Sequence, residues 1–187
     1  MPFPLFPLFP ARRYSNRHRS PVYIVPRILL IQGPNMRTLG TRQPEIYGTV
    51  TAQQLDARLR AHAKRRRYTL DIAYTSHDGE AIAHLQRASE QNCDGLVMNP
   101  AGFVYGSHAL RDCLRALPFP YIEVHISNIE QRGFGSVLAA AAVGMIAGFG
   151  LHSYELGLEA MLHHLCAPPP LQAPFQAPFQ APLPQSS

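Results

Sequence analysis

The stretch 27-RILLIQGPNMRTLGTRQPEIYG-48 decides the fold of this chain. It opens with a short continuous apolar run, which is typical of a β-strand that is buried on both faces. The composition then changes at once to glycine, proline, asparagine, arginine and tyrosine. A segment of this kind cannot bury itself, so it is either a connector or the functional part of the molecule.

Strand-like and helix-like segments alternate after this opening run. Strands are predicted in YTLDIAYT (68–75), DGLVMNP (94–100), YIEVHIS (121–127) and VGMIAGFG (143–150), and helices in TAQQLDARLRAHAKRRR (51–67), GEAIAHLQRASEQ (79–91), SHALRDCLRAL (107–117) and SYELGLEAMLHHL (153–165). The spacing of Thr51 and Gln54 predicts a capping box at the start of the first helix. Five strands that interleave with four helices predict an α/β fold with a parallel sheet and helices on both faces.

Proline marks the limits of the predicted domain. Six of the 18 prolines fall in residues 2–26 and seven in residues 168–184. We therefore expect a folded domain over 27–167, preceded by a disordered Pro/Arg-rich extension over 1–26. The uncharged repeat QAPFQAPFQAPL predicts an extended, disordered Pro/Gln-rich tail over 168–187.

Composition argues against several classes of protein. The net charge is +5, but Arg12, Arg13, Arg17 and Arg19 account for most of this excess, and KRRR (64–67) is typical of a solvated helix end. Nucleic-acid binding is therefore not expected. The longest apolar stretch, 137–151, is too short to span a bilayer, so no membrane partner is expected. Three cysteines without metal-ligand spacing indicate reduced thiols and a cytoplasmic protein.

Polar residues follow the predicted strands at the points where they end. These groups are Gly33-Pro34-Asn35, Ser76-His77-Asp78, Asn99-Pro100-Ala101-Gly102 and His125-Ile126-Ser127-Asn128. In parallel sheets the functional crevice lies beyond the carboxyl ends of the strands. The sequence therefore predicts a site at this edge of the sheet.

Several kinds of chemistry at that site are excluded because the chain lacks the sequence motifs that they require. It has no glycine-rich dinucleotide or P-loop motif and no GxSxG motif of a serine hydrolase. His77, Glu80 and His84 do not make a convincing metal set, because His77 and Asp78 stand where a helix cap is expected and His84 lies in mid-helix. A metal site is therefore not expected, and neither is a dinucleotide or P-loop site.

General acid–base chemistry by Tyr47, Arg42 and His125 remains. A close arginine favours the phenolate form of a tyrosine, and a histidine at a strand end is a natural proton donor near neutral pH. Such a pair suits proton abstraction beside a carbonyl followed by loss of water, with amide or backbone donors at the enolate oxygen. Taken singly, each of these residues also fits a structural role, as a packed aromatic, a solvated charge or a satisfied histidine.

Five motifs, taken together, resemble the type II 3-dehydroquinase (3-dehydroquinate dehydratase) family. They are GPNMRTLGTRQPEIYG, SHDGE, NPAGFVYGSHALRD, IEVHISN and GMIAGFG, in the family's order over roughly residues 28–162. The resemblance implies a flavodoxin-like three-layer sandwich that assembles as a dodecamer, a tetramer of trimers. It also implies a cofactor-free anti elimination of water from 3-dehydroquinate, through an enolate, to give 3-dehydroshikimate.

The resemblance implies roles for four catalytic residues. Tyr47 matches the base that takes the C2 proton, and Arg42 matches the lid arginine that activates it. His125 matches the acid that protonates the departing hydroxyl. Asn35 matches the residue that positions the water at the enolate.

Further residues match binding and supporting positions. Asn99, Ile126 and Ser127 correspond to substrate-binding residues, the latter two around the carboxylate. Glu123 resembles the partner that orients His125. Asp112 resembles an acidic residue that reaches the site of a neighbouring subunit.

The chain departs from the family pattern at three places. Arg37 stands where the family has a polar amide or a small residue, and Tyr105 replaces a histidine that contacts substrate. The segment after Asn128 is shorter than in the family. Arg132 matches its first arginine there, and the second, substrate-binding arginine has no counterpart.

Two other functions stay open at the level of sequence. A catalytically impaired homologue would bind a carboxylate ligand without turnover, and the shortened arginine segment would be its mark. A flavodoxin-like nucleotide binder would instead show a flavin chromophore or phosphate affinity.

Overall fold

A computed structural model describes residues 25–41 and 48–166 of the chain. The predicted extension therefore lies outside the described residues, except for residues 25 and 26, and the predicted tail lies wholly outside them. Arg42 and Tyr47 also lie outside them.

A parallel five-stranded sheet forms the centre of the domain. Its strands are β1 (Arg27–Gln32), β2 (Thr69–Tyr74), β3 (Gly95–Asn99), β4 (Tyr121–His125) and β5 (Gly144–Ala147), in the order β2-β1-β3-β4-β5. All four neighbouring pairs are parallel. The sequence prediction of five parallel strands is confirmed.

Four α-helices cover the two faces of this sheet. They are α1 (Ala52–Arg66), α2 (Asp78–Glu90), α3 (His108–Arg115) and α4 (His152–Cys166), with short 3-10 helices at Met36–Thr38, Ala101–Tyr105 and Ala139–Ala141. Each α-helix lies within two residues of its predicted limits. The predicted capping box of α1 is present, because Thr51 and Gln54 each bond the other's backbone N–H.

The core consists of two apolar layers, one on each side of the sheet. On one side α1 and α4 pack, through residues such as Leu55, Leu59 and Leu158, against Ile28 and Val97 of the sheet. On the other side α2 and α3 pack against the alternate residues of the same strands. This three-layer arrangement is the flavodoxin-like fold that the family resemblance implies.

The strand order determines which loops lie side by side. Because β1 is flanked by β2 and β3, the loops after β1, β3 and β4 meet at the middle of the carboxyl edge. Gly33 allows the first two of these loops to touch: its N–H donates to the Asn99 carbonyl at 2.8 Å, and a Cβ there would run into the Pro100 carbonyl.

Candidate active site

A pocket opens beyond the carboxyl ends of β1, β3 and β4. It is lined by Pro34, Asn35, Met36, Leu39, Asn99, Ala101, Gly102, Tyr105, His125, Ile126, Ser127, Ile129, Arg132 and Phe134. Three of the four predicted strand-end groups thus line one cavity. The fourth, after β2, does not line it, because β2 is the edge strand on the far side of β1.

The expected capping role at the start of α2 is wrong. His77 occupies the N-cap position without a side-chain capping bond. Asp78 instead accepts a hydrogen bond from Ser107 Oγ at 2.9 Å, so it ties the start of α2 to the start of α3. Among the described residues, no group of three or more His, Cys, Asp or Glu side chains could hold a metal ion.

The candidate acid, His125, is buried at the end of β4 and paired with Glu123. Its Nε2 lies 2.7 Å from Glu123 Oε1, and Glu123 is fully buried. Because Glu123 engages Nε2, Nδ1 is the ring nitrogen left for a ligand in the pocket. This geometry agrees with the supporting role that the resemblance implies for Glu123.

The second oxygen of Glu123 is also occupied. Oε2 accepts a hydrogen bond from the Tyr121 hydroxyl at 2.7 Å. Burial raises the pKa of Tyr121 well above its usual value, and the neighbouring carboxylate raises it further. Tyr121 therefore stays a phenol and remains a donor. Its alternation with Glu123 and His125 along one strand face was the sequence signal for this contact.

Asn99 is held in the pocket wall by a buried polar chain. Its Oδ1 accepts from Ala101 N at 3.1 Å, and its Nδ2 donates to the Tyr154 hydroxyl at 2.8 Å. The Tyr154 hydroxyl in turn donates to Gln32 Oε1 at 2.7 Å. Sequence reasoning missed Gln32 and Tyr154, because nothing in the sequence pattern shows that α4 places the Tyr154 hydroxyl next to the end of β3.

Asn35 lies at the turn into the first 3-10 helix in a left-handed conformation, with φ 68°. Asparagine tolerates this conformation better than most residues do. Its carbonyl accepts the Thr38 hydroxyl at 2.8 Å, which holds the turn. The turn places Asn35 in the pocket lining, where the sequence predicts it.

One wall of the pocket combines a cation with two aromatic rings. Arg132 donates to Ser127 Oγ at 3.1 Å, and its guanidinium lies 5.2 Å from the centre of the Phe134 ring. The ring of Phe134 lies 5.3 Å from that of Tyr105, which is 67% exposed. This wall presents a hydroxyl and a positive charge, the groups that a carboxylate ligand requires. Sequence reasoning did not include Phe134.

Two other predicted residues stand apart from the pocket. Arg37 turns to the end of β2, with its guanidinium 4.9 Å above the Tyr74 ring, so its departure from the family pattern does not alter the lining. Asp112 is exposed on α3 and does not line the pocket of its own chain.

Arg42 and Tyr47 fall between the two described parts of the chain. The described ends of this segment lie close together, because a Cβ on Gly40 would stand 2.9 Å from the Thr49 carbonyl oxygen. Leu39, just before it, lines the pocket. The described residues on either side of this segment therefore lie at the pocket side of the molecule.

Comparison with known proteins assigns the family. The family model for Dehydroquinase class II matches residues 26–162. A 3-dehydroquinate dehydratase of Polynucleobacter asymbioticus is 40% identical over 141 residues, which cover 74% of this chain and 95% of that protein. Catabolic 3-dehydroquinase 1 of Neosartorya fischeri is 40% identical over 135 residues, which cover 71% of this chain and 89% of that protein.

Solved structures show the same likeness. The type II dehydroquinase of Butyrivibrio crossotus superposes with a TM-score of 0.72 at 32% identity, covering 73% of this chain and 97% of its own. That of Propionibacterium acnes superposes with a TM-score of 0.69 at 37% identity, covering 73% of this chain and 95% of its own. With a matching family model, close relatives and a shared fold, the chain belongs to the class II dehydroquinase family.

Proposed function

We propose that this chain is a 3-dehydroquinate dehydratase of the shikimate or quinate pathway. It converts 3-dehydroquinate to 3-dehydroshikimate by cofactor-free anti elimination of water through an enolate. The observation that supports this most directly is the buried Glu123–His125 pair, at 2.7 Å, in the wall of a pocket that also contains Asn35 and Ser127.

The reaction divides into two proton transfers. Tyr47, activated as phenolate by Arg42, takes the C2 proton, and the electrons of that C–H bond form the enolate. The enolate then collapses to a new carbon–carbon double bond and expels the β-hydroxyl. His125 gives this hydroxyl its proton, so water leaves and the two side chains exchange protons with solvent before the next turnover.

The remaining pocket residues bind the substrate. Asn35 positions a water molecule at the enolate oxygen, and Asn99 and Tyr105 contact the substrate. Ile126 and Ser127 surround the carboxylate, and Arg132 binds the substrate beside them. This placement is supported by the pocket lining, which contains all three residues, and by the bond that Arg132 donates to Ser127 Oγ.

The test is turnover of 3-dehydroquinate by the purified full chain, followed through the ultraviolet absorbance of the conjugated product. We expect Tyr47→Phe and His125→Ala each to lower kcat by at least about a hundredfold, the usual scale for loss of a general base or acid. The matched controls are Tyr68→Phe and His84→Ala, which change the same residue types outside the pocket. Absence of turnover in the wild type would refute the proposal, and a near-normal kcat in Tyr47→Phe would refute the assignment of the base.

A second candidate function is supported by the shortened segment after Asn128. A chain that has lost the second arginine and carries Tyr105 in place of a histidine could bind a carboxylate ligand without converting it. Calorimetric binding of 3-dehydroquinate by a chain with no turnover would favour this function over the first.

We also propose that the chain acts as a cytoplasmic homo-oligomer, a dodecamer built as a tetramer of trimers, in which Asp112 reaches a neighbouring subunit's site. Two observations on the described part of the chain support assembly: there β5 pairs with β4 alone, and Val143, Met145 and Phe149 are exposed on and around it. The catalytic domain of this proposal spans 27–167. In the part of the chain that the structure describes, no helix is long and apolar enough to cross a membrane.

A further inference from the structure

Three polar side chains on β4 form a continuous buried chain that ends in the pocket. Tyr121, Glu123 and His125 alternate along the strand, so they point to the same face of the sheet. The hydroxyl of Tyr121 lies 2.7 Å from Glu123 Oε2, and Glu123 Oε1 lies 2.7 Å from His125 Nε2. Tyr121 and Glu123 are at most 1% exposed, so water does not replace either bond.

Among the residues that the structure describes, only Tyr121 and His125 bond the carboxylate of Glu123. Its register neighbours in the sheet are Met98 of β3 and Met145 of β5, which carry no charge. The elements packed on this face and the loop after β4 carry the titratable or charged residues Asp78, Glu80, His84, Arg87, Glu90, His108, Arg111, Asp112, Cys113, Arg115, Glu130 and Arg132. Within the described residues, none of these makes a hydrogen bond or an ion pair with Glu123 or His125.

A carboxylate on a glutamate side chain needs two contacts to fix its plane. The terminal torsion of glutamate is broad and nearly two-fold, so a single hydrogen bond at Oε1 leaves the plane free to turn. The bond from Tyr121 at Oε2 removes that freedom. It also stabilises the buried negative charge, which loses the compensating charge of the imidazolium whenever His125 is neutral.

We propose that Tyr121 is a positioning residue of the dehydratase: through Glu123 it sets the orientation and the proton affinity of His125. Tyr121 does not contact the pocket, so it acts on the reaction only through this chain. The role of Tyr121 in turnover rests on the proposed function, whereas its effect on His125 does not.

The direction of the effect follows from charge. In the deprotonated state of the pair Glu123 is an uncompensated buried anion, and in the protonated state the imidazolium compensates it. Removal of the Tyr121 hydroxyl therefore destabilises the deprotonated state of the pair more than the protonated state. As a result, the proton affinity of the pair rises. The alkaline limb of the kcat–pH profile, on which the acid loses its proton, moves to higher pH.

The experiment compares Tyr121→Phe with Tyr68→Phe in the full-length chain. Tyr68 is also a buried tyrosine, and its hydroxyl lies 3.0 Å from His62 Nδ1, away from the pocket. We expect Tyr121→Phe to lower kcat about tenfold, the scale of lost orienting partners in active sites. KM stays within about twofold, and the alkaline midpoint rises. Tyr68→Phe should leave kcat and the midpoint unchanged.

A double-mutant cycle tests whether Tyr121 acts through Glu123. In a Glu123→Gln background the second substitution should have little further effect on kcat, because the carboxylate it positions is gone. Equal alkaline midpoints in wild type and Tyr121→Phe would overturn the proposal. So would an undiminished effect of Tyr121→Phe in the Glu123→Gln background.

Two measurements keep the test decisive if turnover is absent or Tyr121→Phe does not fold. The NMR signals of the His125 ring, assigned by their loss in His125→Ala, report the same shift of midpoint without any substrate. Incorporation of 3-fluorotyrosine in place of Tyr121 keeps the ring and strengthens the hydroxyl as a donor, so the midpoint should move to lower pH. If the titration midpoint of His125 moves in neither measurement, the proposal is overturned. If the midpoint moves but the chain has no turnover, only the dehydratase function is refuted.

Discussion

At the scale of single residues, two arginines beside aromatic rings differ in position: Arg132, which matches the family pattern, and Arg37, which departs from it. Arg132 and Arg37 each lie over an aromatic ring, at 5.2 and 4.9 Å. Arg132 lines the pocket and donates to Ser127, whereas Arg37 lies outside it and reaches the Tyr74 carbonyl. The same residue type in the same kind of stack therefore lines the candidate site in one place and lies on the surface in the other.

We expect Arg132→Lys to raise KM for 3-dehydroquinate about tenfold and to change kcat by less than about threefold. A lysine keeps the charge but loses the planar fork that stacks on Phe134 while it donates to Ser127. Steady-state kinetics provide the measurement, and Arg37→Lys is the matched control, expected to keep the wild-type KM. Equal KM values in wild type and Arg132→Lys would contradict the assigned role of Arg132.

At the scale of elements, α1 and α4 are joined by a line of ion pairs and one buried histidine. Arg58 pairs with Glu155, and Arg66 pairs with Glu159. His62 lies between them, with Nδ1 3.0 Å from the Tyr68 hydroxyl and Nε2 2.9 Å from Glu159. Burial lowers the pKa of His62 despite the nearby carboxylate, so the neutral ring is the form that the folded state prefers.

This preference predicts how the stability of the fold depends on pH. Because the folded pKa of His62 lies below the ordinary value of 6.5, its contribution is complete above pH 6.5. It is lost as pH falls and the unfolded chain takes up the proton first. The free energy of unfolding should then decrease by up to about 1.4 kcal/mol per pH unit more in wild type than in His62→Gln.

Urea denaturation between pH 7.5 and pH 5 measures this difference between wild type and His62→Gln. His163→Gln, which changes an exposed histidine of α4, serves as the control and should keep the wild-type pH dependence. Parallel curves for wild type and His62→Gln would show that His62 does not take part in the pH dependence.

At the scale of the whole molecule, the order of the strands decides what is buried and what is available. β1, β3 and β4 lie inside the sheet and end at the pocket, whereas β5 forms an open edge. Phe149, just after β5, is 62% exposed, and Val143 and Met145 are exposed beside it. An exposed apolar edge strand is a surface that proteins usually cover.

We therefore expect Met145→Glu to weaken assembly, because it places a charge in the surface that we propose to be covered by other subunits. Size-exclusion chromatography with light scattering gives the mass directly: a dodecamer for the wild type and smaller species for the variant. Val25→Glu changes an exposed apolar residue before β1, which β3 and β4 separate from β5, and should leave the mass unchanged. A monomeric wild type would refute the proposed assembly.

The sequence by itself determined the fold class, the helix limits to within two residues and the Thr51–Gln54 capping box, because these depend on periodicity and on contacts within a few residues. It predicted the last strand over 143–150, which is longer than the observed Gly144–Ala147. It also placed Asn35, Asn99 and His125 at the strand ends, since parallel strands bring their carboxyl ends together.

Only the tertiary structure decided which of these residues share one pocket. Strand order removed His77 and Asp78 from it, since neighbours in the sheet are not neighbours in the chain. The packing of α4 brought the Tyr154 hydroxyl to 2.8 Å from Asn99 Nδ2. These two residues are 55 positions apart and meet only when the layers close, so no local pattern encodes their contact.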